Sequence, residues 1–580
     1  MVLSRPTLQG TFGMVAASDW FAASAGMSML ETGGNAFDAA IAAGFVLQVV
    51  EPYMSGPGGE VVAIFADGSD RKPTVLCGQG PAPQGATPDH FRGLGLDAVP
   101  GSGVLAAPVP GAFDAWMLLL RDHGTKSVRE VLGPAITYAE NGHPLLAGTS
   151  RRIRQCESHF KDYWPSSAEL YLVGGKRPMP NTLHRNEALA ATYERVLSEA
   201  EAAAGGRESQ IDAARRTWYQ GFVAEAIHEF ARQPQFDAQG RRYPGVISAD
   251  DLARYQSGYE EPASLDWRGW TICKPGPWSQ GPVQLQQLAL LDGLDVTGAE
   301  HDPAQRVHLI AETAKLAYAD RDAYYGDIPD VPLGALLSPA YTRQRCLLVG
   351  SDASHELRPG RVGQREPRLP PALATGDRPL TSGDTCHIDA VDRHGNMISV
   401  TPSGGFLMNS PVIGPLGFPL GTRLEMTRLE EEHPNTLRPG RRPRTTITPT
   451  MVTRSGDPVL AFGSPGADLQ EQWCLQFFLG FSSGLEAQQA VEAPRCHTTH
   501  LISSFVPHKA ELGRLVVEPQ VGDEAVAELR DRGHDVMVAS PYYTRLGGTG
   551  RMTAVGRDPA TGRLFGAADP RAEQDYVCGR

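Results

Sequence analysis

The sequence contains no CxxC pair, and its few cysteines are scattered singly along 580 residues. This scatter argues against a disulfide framework in so large a chain, because such frameworks belong to small secreted domains. Free thiols fit a reducing compartment, so we predict a cytoplasmic location. The cysteines are Cys77, Cys156, Cys273, Cys346, Cys386, Cys474, Cys496 and Cys578.

The sequence shows neither the pattern expected of a secretion signal nor that expected of a membrane span. The first residues, MVLSRPTLQGTFGMVAAS, lack the charged-then-apolar pattern of a signal peptide. The longest apolar run, residues 39–50, contains Gly44 and Gln48 and is too short to cross a bilayer. This run predicts a buried helix, and we expect no membrane partner.

Basic residues are fewer than acidic residues. The chain has 53 Lys and Arg against 66 Asp and Glu, which gives a formal net charge of −13. Since a phosphate-binding surface needs a basic patch, this balance argues against nucleic acid as a partner. The hydrophobic fraction of 41% and the charged fraction of 21% indicate a globular chain. We find no internal repeat and no low-complexity tail.

A glycine cluster, Ser55-Gly56-Pro57-Gly58-Gly59, invites comparison with a phosphate-binding loop. It lacks the lysine of the GxxxxGK[ST] motif and follows a predicted helix instead of a strand. A tight turn with close backbone approach explains the glycines better. The sequence therefore predicts no cofactor.

The chain changes character along its length. Helical spacing covers residues 20–32, 36–50 and 303–324, whereas strand-like runs dominate after residue 385. An α-rich first part joined to a β-rich second part predicts a layered α+β fold. Between them, residues 351–384 are polar, rich in Pro, Arg and Gly, and without periodicity. A segment of this kind suits a cleavable linker.

Directly after this linker lies a predicted β-hairpin. Residues 386–391 and 397–401 are strand-like, and Arg393-His394-Gly395-Asn396 has turn chemistry. Thr385 stands at the head of the first strand. If the chain were cut before Thr385, its hydroxyl and a free α-amine would share one residue, which supplies both nucleophile and base.

Two further features support a nucleophilic role for Thr385. Ser403, at the far end of the partner strand, places a second hydroxyl where it can hydrogen-bond the nucleophile. Downstream, a strand leads into Gly463-Ser464-Pro465-Gly466-Ala467, and a helix follows. Backbone N–H groups at such a turn can stabilise an oxyanion.

The segment Arg444-Thr445-Thr446 predicts hydroxyls and a cation at the lip of a polar pocket.

Two alternative sites are weaker. The segment Cys496-His497-Thr498-Thr499-His500 suggests zinc, but it lacks a fourth ligand, and neighbouring side chains of an extended segment point apart. Packing histidines are the better interpretation, and we predict no metal. His387 is likewise interpreted as structural. A Ser-His-Asp triad would need a nucleophile elbow such as GxSxG, which the sequence lacks.

Taken together, these segments resemble the γ-glutamyltranspeptidase family of N-terminal-nucleophile hydrolases over nearly the whole chain. The matching blocks, in the family's order, are GGNAFDAAIA, VPGAFDAW, SADDLARY, AETAKLAYADRDAYYGD, TCHIDAVDRHGNMISVT, RPRTTITPT, GSPGAD, APRCH and GAADPR.

The resemblance implies a four-layer αββα sandwich made as a proenzyme. The chain would cut itself between Asp384 and Thr385 into a large subunit, 1–384, and a small subunit, 385–580, which together form one domain. The sequence leaves open whether such pairs form a homo-oligomer.

The resemblance also implies site roles. Thr385 would attack a substrate amide with its own amine as base, since an α-amine titrates near pH 7.7–8.0. Gly466 and Ala467 would hold the oxyanion through their backbone N–H groups, and Ser403 would orient the nucleophile. Thr445 and Thr446 match paired serines that contact substrate.

Departures from the family pattern concern the substrate. The family arginine that holds the γ-glutamyl carboxylate falls on Gln79, and the residues that hold its amine fall on Met426 and Gly405. Arg423 stands where the family has an uncharged amide. The pattern GDTCHIDAVDRHGNMISVTPSGG…GFPLGTRLEM is similar to the oxamate amidohydrolase branch. We expect a pocket with a lone arginine and no acidic residue, which suits an amide beside a carboxylate.

Other functions stay open from sequence. Within the class, the chain is also compatible with a γ-glutamyltransferase or glutathione hydrolase, or with a cephalosporin-acylase-like enzyme. Outside it, an unprocessed and inactive family member could act as a binding scaffold. Balance between hydrolysis and transfer is not encoded in any motif that we identify.

Overall fold

A computed structural model of the chain describes residues 3–294, 296, 302–370, 385–572 and 574–580. The strands are β1 Leu8–Gly10, β2 Gly13–Ala17, β3 Glu60–Ala66, β4 Thr74–Gly78, β5 His143–Pro144, β6 Leu183–His184, β7 Gln235–Phe236, β8 Arg242–Tyr243, β9 Gly258–Glu260, β10 Ala263–Trp267, β11 Trp270–Lys274, β12 Ile388–Asp392, β13 Met397–Ser403, β14 Thr450–Arg454, β15 Asp457–Gly463, β16 Cys496–Thr498, β17 Arg514–Val517, β18 Asp535–Val538, β19 Thr553–Arg557, β20 Leu564–Ala568 and β21 Tyr576–Gly579.

The helices are α1 Trp20–Glu31, α2 Ala36–Val50, α3 Pro88–Gly93, α4 Ala112–His123, α5 Val128–Asn141, α6 Ala147–Tyr163, α7 Pro165–Tyr171, α8 Glu187–Glu201, α9 Arg207–Gln220, α10 Phe222–Ala231, α11 Ala249–Arg254, α12 Pro282–Gly293, α13 Pro303–Tyr324, α14 Leu333–Leu336, α15 Pro339–Cys346, α16 Gln470–Ser482, α17 Ala487–Glu492, α18 Asp523–Asp531 and α19 Pro541–Arg545. Short 3₁₀ turns include residues 423–426 and 467–469. Within the described residues, no helix is both long and apolar enough to span a bilayer.

Two seven-stranded sheets form the centre of the molecule. The first has the strand order β1-β20-β19-β15-β14-β11-β10, and the second has the order β21-β2-β12-β13-β3-β4-β9. Neighbouring strands in both sheets are antiparallel. Central strands such as β2, β3 and β13 are buried on both sides, whereas the edge strands β1, β9 and β10 are partly exposed.

Alternation along β3 shows how the layers form. Val62 and Ile64 pack into the cluster between the two sheets, whereas Val61 and Phe65 face a helical layer that includes α1, α2 and α4. The other sheet packs its outer face against α12, α13 and α16. The order of layers is therefore helix, sheet, sheet, helix, which confirms the α+β, αββα sandwich.

Helix α2 confirms the expectation of a buried helix. Every residue from Ala36 to Val50 is buried. Its N-terminus is closed by a capping box, in which the Asn35 side chain accepts from the Asp38 N–H and the Asp38 carboxylate accepts from the Asn35 N–H. An apolar helix of this kind anchors the outer face of the sheet that carries β12 and β13.

Helices predominate in the described residues before Thr385 and strands in those after it, which confirms the predicted α-rich and β-rich parts. Both parts nevertheless contribute strands to both sheets, and the β12–β13 hairpin lies between β2 and β3. A hairpin inserted in this way gains hydrogen bonds on both edges. The predicted boundary between subunits, 1–384 and 385–580, therefore passes through a shared core and stays a prediction.

Candidate active site

The nucleophile candidate Thr385 lies just before β12. It forms an isolated antiparallel bridge with Ser403, the last residue of β13. The two hydroxyl oxygens are 3.3 Å apart, and both side chains are buried. The hairpin itself begins later than predicted, at Ile388 instead of Cys386. The structure thus brings together the two hydroxyls that sequence reasoning paired.

Ser403 belongs to a row of polar residues across neighbouring strands. In the β13–β3 register Ser403 pairs with Glu60, and Val61 of β3 pairs with Gly78 of β4. Gln79 follows Gly78 directly and continues the row beyond Glu60. Since strands lie about 4.8 Å apart, Gln79 stands roughly two strand spacings from Ser403.

Arg423 bridges this row from the 3₁₀ turn at residues 423–426. Its Nη2 donates to Ser403 Oγ at 2.8 Å, and its Nε donates to Glu60 Oε1. Nη2 is also ion-paired with Glu60, and Nη1 contacts Met426 Sδ at 3.6 Å. The expectation of a lone arginine without an acidic residue is therefore wrong. Glu60 was missed because it opens an apolar strand far from Arg423 in sequence.

Two carboxyl groups near Arg423 have perturbed acidity. Burial raises the pKa of Glu60, although the Arg423 charge opposes that rise. Burial also raises the pKa of Glu425 to about 8, again against Arg423. Glu425 Oε1 accepts from Thr422 Oγ1 at 3.3 Å, whereas its other carboxyl oxygen has no hydrogen-bond partner among the described residues. Burial therefore favours the protonated form of Glu425.

Gln79 is buried, with 2% of its surface exposed. Within the described chain, neither its amide oxygen nor its amide nitrogen has a hydrogen-bond partner. Leaving both groups unpaired is costly in a protein interior. The side chain therefore offers one donor and one acceptor group to a ligand.

The predicted oxyanion turn leaves β15 and enters α16. Gly466 has φ +134°, and a Cβ there would lie 2.1 Å from the Trp473 ring, so only glycine fits. Ala467 adopts φ +53°. In the described residues, the backbone N–H groups of these two residues make no hydrogen bond. They are available to an anionic oxygen, and the oxyanion role of this turn stays a prediction.

The position of this turn depends on a polar chain that the sequence did not indicate. Gln280 Nε2 donates to the Ala467 carbonyl oxygen at 3.0 Å, and Gln280 Oε1 accepts from Arg321 Nη1 at 3.0 Å. Arg321 Nη1 also donates to Asp468. Charged residues within the otherwise apolar helix α13 are the signal that could have identified this network, because buried charges require partners.

Thr445 and Thr446 lie close to the same turn but do not contact Thr385. The Thr445 carbonyl accepts from the Gln280 N–H at 3.0 Å. Thr446 Oγ1 is buried and has no hydrogen-bond partner among the described residues. Their neighbour Arg444 is buried and donates to Asp322 and Ser504, so its place at the lip of a pocket stays a prediction.

The cleavage site is only partly visible. Thr385 is described, whereas Asp384 lies outside the described residues, as does all of the predicted linker beyond residue 370. Linker residues 351–370 are described and include one bridge between Val362 and Arg365. The predicted cut between Asp384 and Thr385 stays a prediction.

The histidines interpreted as structural have separate packing partners. His387 contacts Thr401 Oγ1 and Asp389 Oδ1, each at 3.0 Å, between the two sheets. His497 contacts Trp473 and Tyr543, whereas His500 contacts Gly513 and Glu356. The Cys496 segment therefore does not converge on one point.

One other group of potential metal ligands is present in the described chain, formed by His308, Glu312 and His534. Glu312 accepts from Lys315 Nζ at 2.6 Å and from Arg358 Nη2 at 3.0 Å. Two cations therefore already balance its carboxylate, which disfavours a metal ion at this position.

The two paired sheets between helical layers have the fold of the N-terminal-nucleophile hydrolase class, as does the similar cephalosporin acylase structure. A family model described as gamma-glutamyltranspeptidase matches residues 22–578, so the chain belongs to that family. Its members include hydrolases and transpeptidases, and curated relatives are named as proenzymes.

Two solved structures cover all of this chain. The structure of LmbA2991T421A is 52% identical, is itself covered completely and superimposes with a TM-score of 0.95. The cephalosporin acylase from Bacillus halodurans is 28% identical over 97% of its chain, with a TM-score of 0.83.

Curated relatives are similar over nearly their full length. The glutathione hydrolase-like YwrD proenzyme of Bacillus subtilis (strain 168) is 29% identical over 97% of this chain and 98% of that protein. The oxamate amidohydrolase proenzyme of Klebsiella pneumoniae is 28% identical over 97% of both chains. The chain therefore belongs to this family, but its relatives are named for different substrates, so the names alone do not identify the substrate of this chain.

Proposed function

We propose that the protein is a cytoplasmic, self-processing amidohydrolase that uses Thr385 as its nucleophile. Its substrate would be a small amide with an adjacent carboxylate, of which oxamate is the simplest. One observation carries the substrate proposal: a buried arginine, Arg423, is separated from the Thr385 hydroxyl by a single hydroxyl group, that of Ser403.

This separation favours a short substrate. Two hydrogen bonds, of 3.3 and 2.8 Å, connect Thr385 Oγ1 to Arg423 Nη2 through Ser403. In a γ-glutamyl group, three carbon atoms separate the reacting carbonyl carbon from the α-carboxylate carbon. In oxamate the two carbons are bonded directly. A cation this close to the nucleophile suits the shorter spacing.

The position of Gln79 supports the same conclusion. In the family pattern, an arginine at this position reaches the distant carboxylate of a γ-glutamyl group. Gln79 has no charge and stands roughly two strand spacings beyond Ser403. A distant carboxylate would find an amide there, which forgoes a charge-assisted hydrogen bond.

The chemistry follows from groups on this chain. After cleavage before Thr385, the free amine takes the proton of Oγ1, and Oγ1 forms a bond to the amide carbon. The N–H groups of Gly466 and Ala467 stabilise the oxyanion. The carbon–nitrogen bond then breaks, and the amine returns its proton to the departing ammonia. Water hydrolyses the resulting ester by the reverse sequence.

A denaturing gel tests self-processing. The wild-type chain should give two fragments, 1–384 and 385–580, and Thr385→Ala should give a single full-length band. A single wild-type band would contradict the proposal and favour the scaffold alternative. Fragment masses would place the cut.

Release of the leaving amine tests the substrate, measured as ammonia for primary amides such as oxamate and as cysteinylglycine for glutathione. Oxamate should be hydrolysed, and it should be preferred to glutathione-type and glutaryl amides because Arg423 holds its carboxylate close to the reacting carbon. Efficient turnover of γ-glutamyl-p-nitroanilide without turnover of oxamate would reject the substrate proposal while leaving the Thr385 mechanism in place.

One observation favours a second candidate, a cephalosporin-acylase-like enzyme with a longer acyl group. The unpaired amide of Gln79 offers polar contacts beyond Arg423. A longer acyl chain could reach it, whereas oxamate could not. Higher kcat/KM for a glutaryl amide than for oxamate in the same assay would support this candidate.

A further inference from the structure

Glu60 occupies a defined place beside the candidate nucleophile. It is the first residue of β3 and pairs in register with Ser403. Its carboxyl group also passes close to the backbone after Ser403, because a Cβ on Gly404 would lie 2.6 Å from Glu60 Oε2. The side chain is 2% exposed and is therefore held within the protein.

Glu60 holds one edge of the Arg423 guanidinium. Its carboxylate accepts from Nε and is ion-paired with Nη2. A planar guanidinium that is bound through two nitrogen atoms of one edge cannot rotate freely. The same Nη2 donates to Ser403 Oγ at 2.8 Å. The position of Glu60 thus determines where Arg423 meets Ser403.

This contact gives the Ser403 hydroxyl a direction. A guanidinium has donors only, so Ser403 Oγ is the acceptor of this bond. The Ser403 O–H can then be directed at Thr385 Oγ1, 3.3 Å away. A donor aimed at that oxygen stabilises the negative charge that develops on it when the proton leaves.

We infer that Glu60 is a positioning residue that holds Arg423 against Ser403 and so orients the Ser403 hydroxyl toward the nucleophile. This inference rests on the proposed function of Thr385, but it does not depend on the identity of the substrate. Glu60 also balances the Arg423 charge, while Nη1 keeps its donors for a substrate carboxylate, since among the described residues it contacts only the weak acceptor Met426 Sδ.

A purely structural ion pair would behave differently. Arg495 and Asp569 form such a pair elsewhere, 2.7 Å apart and almost fully buried. Removing the acid from either pair leaves a buried arginine without its full balance of charge and should reduce stability. If removing Glu60 slows catalysis while removing Asp569 lowers only stability, Glu60 has a positioning role.

The experiment compares Glu60→Gln, Glu60→Asp and Arg423→Lys with the control Asp569→Asn in the full chain. Three quantities are measured: the rate at which full-length chain converts to two fragments, kcat and KM for oxamate, and the midpoint of thermal unfolding. Arg423→Lys keeps the positive charge but cannot bind Glu60 through two nitrogen atoms of a planar group.

Glu60→Gln should lower both the self-cleavage rate and kcat by about tenfold or more, the loss expected when one charge-assisted hydrogen bond is misplaced. KM should stay within about threefold, because the Arg423 cation that attracts the substrate is retained. Glu60→Asp should recover part of the rate, and Arg423→Lys should resemble Glu60→Gln. Asp569→Asn should lower the unfolding midpoint without slowing either reaction.

Glu60→Gln with wild-type kcat and wild-type self-cleavage would overturn the inference. Parallel losses of rate and stability in Glu60→Gln and Asp569→Asn would also overturn it. If wild-type chain cuts itself but leaves oxamate intact, only the substrate proposal fails, and the self-cleavage rates decide the role of Glu60. A wild-type chain that never cuts itself would reject both proposals.

Discussion

Arg321 and Arg423 are both buried beside the candidate active site, but their surroundings differ. Arg321 donates to Asp322, Asp468 and Gln280 and, through Nη2, to the carbonyl of Ile502 at 2.8 Å. Arg423 has one acidic partner and one hydroxyl, and its Nη1 meets a thioether.

The difference separates a supporting arginine from a binding one. Every nitrogen of the Arg321 guanidinium has an oxygen partner, so it serves to hold α13, Gln280 and the oxyanion turn together. The Nη1 group of Arg423 still has strong donor capacity. Burial alone therefore does not reveal which arginine recognises a ligand, whereas the count of oxygen acceptors around each nitrogen does.

The largest effect should come from Arg321→Met. Removing this cation leaves the carboxylates of Asp322 and Asp468 without their main partner, which should lower the free energy of unfolding by about 3–5 kcal/mol. Chemical denaturation measures this loss. Arg254→Met, at an exposed pair with Asp250, is the control and should cost below about 1 kcal/mol. Equal losses in the two variants would remove the distinction drawn here.

Arg423→Met should affect catalysis more than folding. We expect kcat/KM for oxamate to fall by about tenfold to a hundredfold, because a charge-assisted contact is lost. The unfolding free energy should fall less than in Arg321→Met, because burial already raises the pKa of Glu60 and the unpaired carboxyl can take up a proton. Initial rates and denaturation curves on the same preparations test both statements. A variant that keeps normal kcat/KM would show that Arg423 does not contact substrate.

The smallest expected effect concerns Glu425→Gln. Burial raises the pKa of Glu425 from an ordinary value of 4.5 to about 8. As pH rises between these values, the unfolded chain loses a proton that the folded chain retains, so stability falls. Glutamine does not titrate, so the variant should gain a few degrees in unfolding midpoint over wild type by pH 8, by a rough scaling from free energy.

At pH 5 the unfolding midpoints of Glu425→Gln and wild type should nearly coincide, because the wild type has lost little stability so close to the ordinary pKa of a glutamate. Thermal unfolding at pH 5, 6.5 and 8 gives the comparison. A difference that stays constant across this range would show that Glu425 ionises normally in the folded protein.

Much of the fold could be predicted from local sequence. The apolar run that becomes α2, its capping residues and the turn of the β12–β13 hairpin follow from propensity and periodicity. Thr385, Ser403 and the Gly466–Ala467 turn were identified for the same reason: a hairpin brings its own ends together, and a turn depends on its own glycine.

The surroundings of Arg423 could not be predicted in this way. Glu60 and Arg423 are 363 residues apart, and their contact requires the β3–β13 pairing and the 3₁₀ turn at residues 423–426. The link from Arg321 through Gln280 to Ala467 likewise spans α12, α13 and the loop before α16. Side-chain contacts between distant strands depend on register, which one sequence does not specify.

The insertion of the β12–β13 hairpin between β2 and β3 has a practical consequence. If the chain is cut before Thr385, the two fragments still share both sheets, so affinity tags on either fragment should recover the other from dilute solution. Separating them would require strong denaturant. When differently labelled preparations are mixed, fragments should not exchange between molecules. The cut would then be a local chemical change at one threonine that leaves the assembly intact.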